Sequence, residues 1–238
     1  MKVIVLSNTK YKENDVIYNA ISEEGLVSFK VNGAQSGKSP YLWLNNYLTI
    51  ADIEFGDRRF KYPSLKEAKL VSSPLSGNDS LPKLMSLAVL AEATNKMIQD
   101  EEKHLLFKDL EGAVEALKNG KDHCMVVLIY LAKAITLAGA ELEVDSCVFC
   151  GTRSKIVAFS FEDGGFICEK CFSESGYKAD LTPNQMLLIR YAFKSPNFEC
   201  NKTEGYSIED KSVVLKHLEE YIYDYLGVRI ESLKNIIK

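Results

Sequence analysis

The first third of the chain alternates between apolar and polar residues with the period of β-strands. The alternation is clear at residues 16–20, 27–31 and 47–55, and a short apolar run at residues 3–6 precedes it. A last run lies between about residues 60 and 71, and Gly, Asn and Asp punctuate the segments. Five short strands with such turns predict a small β-barrel or sandwich, and the five-stranded OB-fold matches this pattern best.

The spacing of apolar residues becomes helical after a stretch rich in Ser, Pro, Gly, Asn and Asp at residues 72–82, which predicts a linker. The predicted helices begin near Ser80, Glu102, Asp122, Thr182 and Ser212. The third of them is apolar nearly all round, which predicts a central core helix. We therefore predict an α+β protein with two domains, an OB-fold at residues 1–75 and a helical domain at residues 76–238.

The composition is that of a soluble globular protein, with 46% hydrophobic and 26% charged residues. The apolar run at the N-terminus is too short for a signal sequence. The most apolar stretch, residues 125–140, contains Lys133 and falls short of the ~20 apolar residues that a membrane-spanning helix needs. We expect a cytoplasmic protein that does not contact a membrane.

Charge is distributed unevenly along the chain, whose net charge is −4. Residues 1–75 hold 10 basic and 8 acidic residues, and the remainder holds 19 basic and 25 acidic residues. A slightly basic N-terminal domain can therefore coexist with an acidic helical domain, so the overall charge does not exclude a nucleic-acid partner.

Four of the six cysteines form the pattern C-x2-C-x17-C-x2-C, at Cys147, Cys150, Cys168 and Cys171. Two such pairs present four thiolates to one metal ion, and the spacing is typical of structural zinc sites. Disulfides are disfavoured in a cytosolic chain, and ordinary core thiols seldom repeat this spacing. We predict one Zn²⁺ ion in a module at residues 143–176. Four thiolates leave no open coordination position, which favours a structural role over a catalytic one.

No catalytic constellation is evident, and we expect a protein that is not an enzyme. Residues 32–39 resemble a phosphate-binding loop, but Asn32 stands where that loop requires its first glycine. Pro40 follows this stretch and is a poor start for the helix that such a loop requires. A glycine-bearing loop between strands is the favoured interpretation.

The N-terminal module carries basic residues interleaved with aromatic ones. Basic groups that contact phosphates and aromatic rings that stack on bases are the two ingredients of single-strand recognition by OB-folds. The aromatic residues are Phe29, Tyr41, Trp43, Phe60 and Tyr62, most of which we expect in a core. The candidate DNA-binding residues are Lys30, Lys38, Arg58, Arg59 and Lys61.

Three stretches of the chain together resemble the RecO family of bacterial recombination-repair mediators. The first is Ile21-Ser-Glu-Glu-Gly25 with Asn32-Gly-Ala and Lys38-Ser39, and the third is Tyr225-Leu-Gly-Val-Arg229. The second and most specific runs from residue 140 through both cysteine pairs. The resemblance implies an OB-fold joined to a helical domain with a zinc module, in which the four cysteines match the zinc ligands and Lys38 matches a loop lysine.

The same resemblance implies binding of single- and double-stranded DNA and annealing of complementary strands. It also implies cooperation with RecR and with the single-stranded-DNA-binding protein to load the RecA recombinase, and a nucleoid-associated location. This chain has Asn32 and Gln35 where the family often has arginines, so its DNA affinity is lower unless Lys30, Arg58 and Arg59 compensate.

Two other functions compete with a DNA-binding mediator. One is a zinc-containing adaptor that binds only protein. The other is a zinc-containing nucleotidyl- or phosphoryl-transfer enzyme built on residues 32–39.

Overall fold

The computed structural model describes residues 1–56, 61–75, 79–176, 178–200 and 205–236. The strands are β1 (Lys2–Tyr11), β2 (Asp15–Ser22), β3 (Gly25–Val31), β4 (Ile50–Phe55), β5 (Leu65–Ser72), β6 (Glu143–Cys147), β7 (Ile156–Ser160) and β8 (Gly165–Cys168). The α-helices are α1 (Leu81–Met97), α2 (Phe107–Lys118), α3 (His123–Leu137), α4 (Glu169–Ser175), α5 (Pro183–Lys194) and α6 (Ile208–Leu226). The prediction of an α+β protein with an N-terminal sheet followed by helices is confirmed.

The first five strands form one sheet in the order β3-β2-β1-β4-β5, and each neighbouring pair is antiparallel. The long strand β1 pairs with two neighbouring strands. Its first residues, Lys2–Ile4, pair with β4, while Ile4 to Tyr11 pair with β2. A register shift between Val5 and Ser7 interrupts the second pairing, and such bulges increase strand twist.

The two edges of this sheet, β3 and β5, meet only briefly. Among the described residues, one parallel bridge between Lys30 and Ser64 joins them, and the Lys30 N–H donates to the Pro63 carbonyl at 2.9 Å. The sheet is therefore not a closed barrel, and the prediction of a closed OB-fold barrel is met only in its strand count and in the approach of its edges.

Alternate residues of β1 enter two different cores. Val3 and Val5 face the interior of the curved sheet, where they pack with Tyr18 and Phe29. Ile4 and Leu6 face the other way and belong to the core of the helical part, as do Ile21, Leu48 and Ile50. Successive residues of a strand face opposite sides of the sheet, so the second apolar face of β1 packs against the helices. The domain boundary at residue 75 stays a prediction.

The helical part is built around α3, in which 11 of the 15 residues are buried. Side chains of Ser80, Asp122, Thr182 and Ser207 cap the helices α1, α3, α5 and α6. The second predicted helix begins as a 3-10 helix at Lys103–Leu106 before α2. The last helix starts earlier than predicted, at Ile208 instead of Ser212, because Ser207 and Asp210 form a reciprocal capping box.

A small second sheet in the order β6-β8-β7 follows α3, and the short helix α4 extends from its last strand. β7 and β8 pair as an antiparallel hairpin. The strand β6 and the helix α4 were not predicted. Within the described ranges, no helix combines the length and the apolar character needed to cross a membrane.

Candidate metal centre and nucleic-acid interface

The four predicted ligand cysteines come together from the small sheet and α4. Cys147 ends β6 and Cys150 lies in the turn that follows it. Cys168 ends β8 and Cys171 lies in the first turn of α4. Each C-x2-C pair therefore joins a strand end to a tight turn or helix start, which brings both thiols to one side of the chain.

Glycines at two points permit this geometry. Gly151 has a φ of 71°, a left-handed conformation that follows the first pair, and its N–H donates to the Cys147 carbonyl at 2.8 Å. Gly165 begins β8 where the chain passes very close to β6. A Cβ atom there would lie 2.4 Å from the Glu143 carbonyl oxygen and 2.7 Å from a methyl carbon of Val148.

The distances between the sulfur atoms suit one zinc ion. All four Sγ atoms lie within 4.8 Å of one another, and the Cys150 and Cys168 sulfurs are 3.6 Å apart. Zn–S bonds of about 2.3 Å in a tetrahedron separate the sulfurs by about 3.8 Å. The donor set is four soft thiols, which is the set that structural zinc prefers. The residues therefore fit the predicted Zn²⁺ ion.

Burial and hydrogen bonding change the acidity of these thiols in opposite directions. Burial raises the pKa of Cys147, but backbone N–H donors from Cys168, Cys150 and Phe149 outweigh it and lower that pKa to about 6. Burial and the thiols of Cys150, Cys168 and Cys147 raise the pKa of Cys171 to about 12. Four thiolates this close together repel one another, and a dication bound between them removes that repulsion.

The cysteine module is attached to the helical core by polar and apolar contacts. The guanidinium of Arg190 in α5 donates to the Val144 carbonyl at 3.1 Å and to the Asp145 carboxylate at 2.9 Å. Lys194 pairs with the same carboxylate at 2.6 Å, and these two cations lower the pKa of Asp145. Phe159 and Phe166 of the hairpin belong to the main core. The module therefore has a fixed orientation on α5.

Three of the five predicted DNA-binding residues, Lys30, Lys38 and Lys61, lie around the C-terminal end of β3. Lys30 is half-buried in β3, and Lys38 is exposed in the loop that follows this strand. Lys61 is exposed in the segment before β5, where its ammonium group lies 5.4 Å from the centroid of the Tyr62 ring. Arg58 and Arg59 lie outside the described residues.

Backbone hydrogen bonds connect the segments that carry these lysines. The Lys30 N–H donates to the Pro63 carbonyl at 2.9 Å, which links β3 to the segment of Lys61. The Gln35 N–H donates to the Asn14 carbonyl at 3.1 Å, which links the loop of Lys38 to the turn between β1 and β2. Three segments that are separate in sequence are thus neighbours at one rim of the sheet.

The end of β1 and the turn that follows it add basic and aromatic groups that the sequence analysis missed. Lys10, Tyr11 and Lys12 are exposed there, and the Lys12 ammonium lies 5.6 Å from the centroid of the Tyr11 ring. Their sequence signal is the triplet Lys-Tyr-Lys, which matters only because the Gln35–Asn14 bond brings it beside the loop of Lys38.

The aromatic residues named from sequence are mostly structural. Phe29 is fully buried and stacks on Tyr18, with ring centroids 5.6 Å apart. Tyr41 and Trp43 are half-buried against the core inside the sheet. Tyr62 is half-buried beside Lys61, and Phe60 lies outside the described residues. Tyr11 and Tyr47 are the more exposed rings, at 41% and 54%.

The glycine-bearing segment at residues 32–39 is a series of turns between β3 and a short 3-10 helix, Leu42–Asn45. No α-helix follows it, whereas a phosphate-binding loop leads directly into one. The favoured interpretation as a loop between strands of the sheet is supported.

A second group of metal-ligating side chains, Asp122, His123 and Cys124, lies at the start of α3. The Asp122 carboxylate caps this helix and pairs with Lys211 at 2.6 Å. Burial, together with the charge of Asp122, raises the pKa of Cys124 to about 11. The lysine already neutralises the carboxylate and the thiol is a poor nucleophile, so we interpret this group as structural.

Known protein families match this chain over both its N-terminal sheet and its helical part. Residues 1–74 match the family described as Recombination protein O N terminal, and residues 78–234 match Recombination protein O C terminal. A DNA repair protein RecO from Halalkalibacterium halodurans is 23% identical over 96% of this chain and 90% of its own length. A DNA repair protein RecO from Bacillus pumilus is 25% identical over 97% of this chain and 90% of its own length. Because these matches span nearly the whole chain, the protein belongs to the RecO family, which acts in recombinational DNA repair.

Proposed function

We propose that this protein is a DNA-binding and strand-annealing mediator of homologous recombination. In this role it helps to load RecA on single-stranded DNA that is coated by the single-stranded-DNA-binding protein, in cooperation with RecR. It contacts single- and double-stranded DNA through the basic rim of its N-terminal sheet, which we propose to be an OB-fold in spite of its open pairing. We further propose a cytoplasmic, nucleoid-associated location.

The observation that carries this proposal is the clustering of Lys30, Lys38 and Lys61 by the backbone bonds at the end of β3. Lys10 and Lys12 extend the same rim, where Tyr11 offers an exposed ring. Ammonium groups beside an exposed aromatic ring suit a single strand, because phosphates pair with the cations while a base stacks on the ring. The acidic helical part lies outside this rim, which agrees with an acidic chain that nevertheless binds DNA.

Annealing by such a surface requires no hydrolysis. Two complementary strands repel each other through their phosphates, and lysines that pair with both strands reduce that repulsion. Holding both strands on one protein also raises their local concentration, so base pairing proceeds downhill. We accordingly propose that the protein is not an enzyme, with the Asp122 group and residues 32–39 in structural roles.

The cysteine module fits into this proposal as a structural element. Cys147, Cys150, Cys168 and Cys171 would hold one Zn²⁺ ion, which supplies a charge that lets the four thiols ionise together. The Asp145–Arg190 bonds then keep the module in a fixed orientation on α5.

The test compares two triple variants that remove the same charge. One carries Lys30→Gln, Lys38→Gln and Lys61→Gln. The control carries Lys121→Gln, Lys178→Gln and Lys216→Gln, which are exposed lysines of the helical part. Binding of a labelled single-stranded oligonucleotide is titrated at several salt concentrations, and annealing of complementary strands is measured in parallel.

For the wild type we expect affinity that falls steeply with salt. The rim variant should lose up to about 2 units of the slope of log K against log salt, since each phosphate contact to a single strand contributes about 0.7. Its annealing rate should fall with its affinity, and the control should keep both properties. Absent or salt-independent binding by the wild type would reject a DNA-binding role and favour the protein-only adaptor. ATP turnover that Lys38→Ala abolishes would favour an enzyme.

A further inference from the structure

A cavity of 430 Å³ lies between α6 and the turn that follows β7, and its lining residues belong neither to the cysteine cluster nor to the basic rim. Four aromatic or imidazole rings form its walls, contributed by Phe161, His217, Tyr221 and Tyr225. Carboxylates complete the lining, from Glu162, Glu220 and Asp224. This combination of rings and carboxylates is not used by the proposed DNA-binding function.

The rings form a continuous wall because of their spacing on α6. His217, Tyr221 and Tyr225 are four residues apart and so lie on one helix face. Phe161 stacks on His217 with ring centroids 5.2 Å apart and planes 15° apart, and it contacts Tyr221 at 5.9 Å. The Tyr221 and Tyr225 centroids are 4.4 Å apart.

Hydrogen bonds at the wall fix two of these rings. The Tyr221 hydroxyl donates to the Ala140 carbonyl at 3.0 Å, and the Tyr225 hydroxyl donates to the Glu162 carbonyl. Tyr221 is only 4% exposed, whereas half of Tyr225 is exposed. The cavity is therefore preformed, with one ring open to a ligand.

Among the described residues, no lysine or arginine pairs with the carboxylates of the cavity. In the described parts of the chain, Glu220 pairs only with His217, at 3.5 Å, and neither Glu162 nor Asp224 forms an ion pair. α6 has no basic residue in its last turn, although the C-terminal end of a helix dipole favours cations and disfavours carboxylates. Arg229 stacks on Tyr223 and does not line the cavity. The electrostatics of this cavity thus favour a positively charged ligand.

We propose that the cavity binds an arginine side chain of a partner protein. A planar guanidinium stacks on the exposed face of Tyr225 and donates to the carboxylates of Glu220 and Asp224. Arginine suits the site better than lysine because its flat group contacts a ring and carboxylates at once. Because Phe161 belongs to the cysteine module and the tyrosines to α6, the site forms only when the module is docked on the helices.

The test measures binding of a fluorescein-labelled nonapeptide with three Gly-Arg-Gly repeats to the full chain by fluorescence anisotropy. A peptide with citrulline in place of arginine has nearly the same shape without the charge. A double variant, Glu220→Gln with Asp224→Asn, should weaken arginine-peptide binding by about tenfold or more. The matched control, Glu141→Gln with Glu219→Gln, removes the same charge from residues outside the cavity and should change the affinity by less than about twofold.

A third variant, Tyr225→Leu, removes the exposed ring and should also weaken binding, by about threefold to tenfold. Thermal unfolding of each variant checks that the fold is retained. Equal weakening by the two charge pairs would overturn the proposal, because it would show general attraction to an acidic surface. Equal affinity for the citrulline peptide, or no binding of the arginine peptide by the wild type, would also overturn it.

Discussion

The sulfur atoms of Cys150 and Cys168 lie 3.6 Å apart, although one residue follows β6 and the other ends β8. These strands are parallel neighbours in the small sheet, paired at Glu143 with Gly165 and at Cys147 with Phe166. The sheet therefore aligns the two cysteine pairs, and any metal held by them ties the turn after β6 to the start of α4.

We expect one zinc ion per chain in protein purified under reducing conditions without a chelator. Replacement of Cys168 by serine should abolish zinc retention, because three thiolates and a hydroxyl form a much weaker site. We expect Tm to fall by roughly 5–10 °C, which corresponds to about 2–3 kcal/mol for a chain of this size. Elemental analysis and thermal unfolding measure the two effects. Cys124→Ala should keep its zinc, and a wild-type zinc content near zero would contradict the assignment.

The close approach of β8 to β6 makes Gly165 sensitive to any side chain. In Gly165→Ala the new Cβ would lie 2.4 Å from the Glu143 carbonyl oxygen, so the backbone must shift. We expect a loss of about 2–3 kcal/mol in the free energy of unfolding, measured with urea. Gly37→Ala is the matched control, since no atom of the described residues lies within 4 Å of its added Cβ. It should change stability by less than about 0.5 kcal/mol, and an equal loss in both variants would contradict the steric explanation.

Local chemistry explains which parts of the fold the sequence predicted. The cysteine spacing encodes a metal site within 25 residues, and the caps at Ser80, Asp122 and Thr182 act on the adjacent helix turn. The predicted start of α6 was wrong. The signal for the true start was present in the sequence, since Ser207 and Asp210 have the spacing of a capping box. β6 has only a brief, irregular pairing, and α4 has seven residues with none buried, so neither carries a periodic pattern.

Long-range contacts explain what the sequence did not predict. The rim at the end of β3 depends on bonds from Lys30 to Pro63 and from Gln35 to Asn14, which join distant parts of the chain. Phe29 alternates with Lys30 in β3, yet it faces the interior of the sheet and stacks on Tyr18. The alternation shows that the two residues face opposite sides, but only the fold shows which side is a core.

The carboxylate of Glu92 in α1 binds the C-terminal segment of the chain. It accepts hydrogen bonds from the N–H groups of Glu231 and Ser232 at 3.0 and 2.9 Å, and it pairs with Lys96 at 2.6 Å. Burial raises the pKa of Glu92, but the bonds from Lys96, Ser232 and Glu231 outweigh it and lower that pKa to about 2. The ionised carboxylate is therefore preferred in the folded state.

This preference predicts how stability depends on pH. A carboxylate whose pKa is about 2 when folded and near its ordinary value of about 4.3 when unfolded stabilises the fold at neutral pH. The contribution, roughly 2–3 kcal/mol, is present above about pH 4.5 and is lost as the pH falls towards 2. Glu92→Gln should thus be less stable than the wild type at pH 7, and the difference should shrink between pH 4.5 and 2. Urea unfolding of both proteins over this range measures the difference in stability. Comparing the two proteins cancels any common effect of metal release.

The exposed control Glu141→Gln should follow the wild type at every pH. A constant difference between Glu92→Gln and the wild type from pH 7 to 2 would mean that the carboxylate's charge does not hold the C-terminal segment.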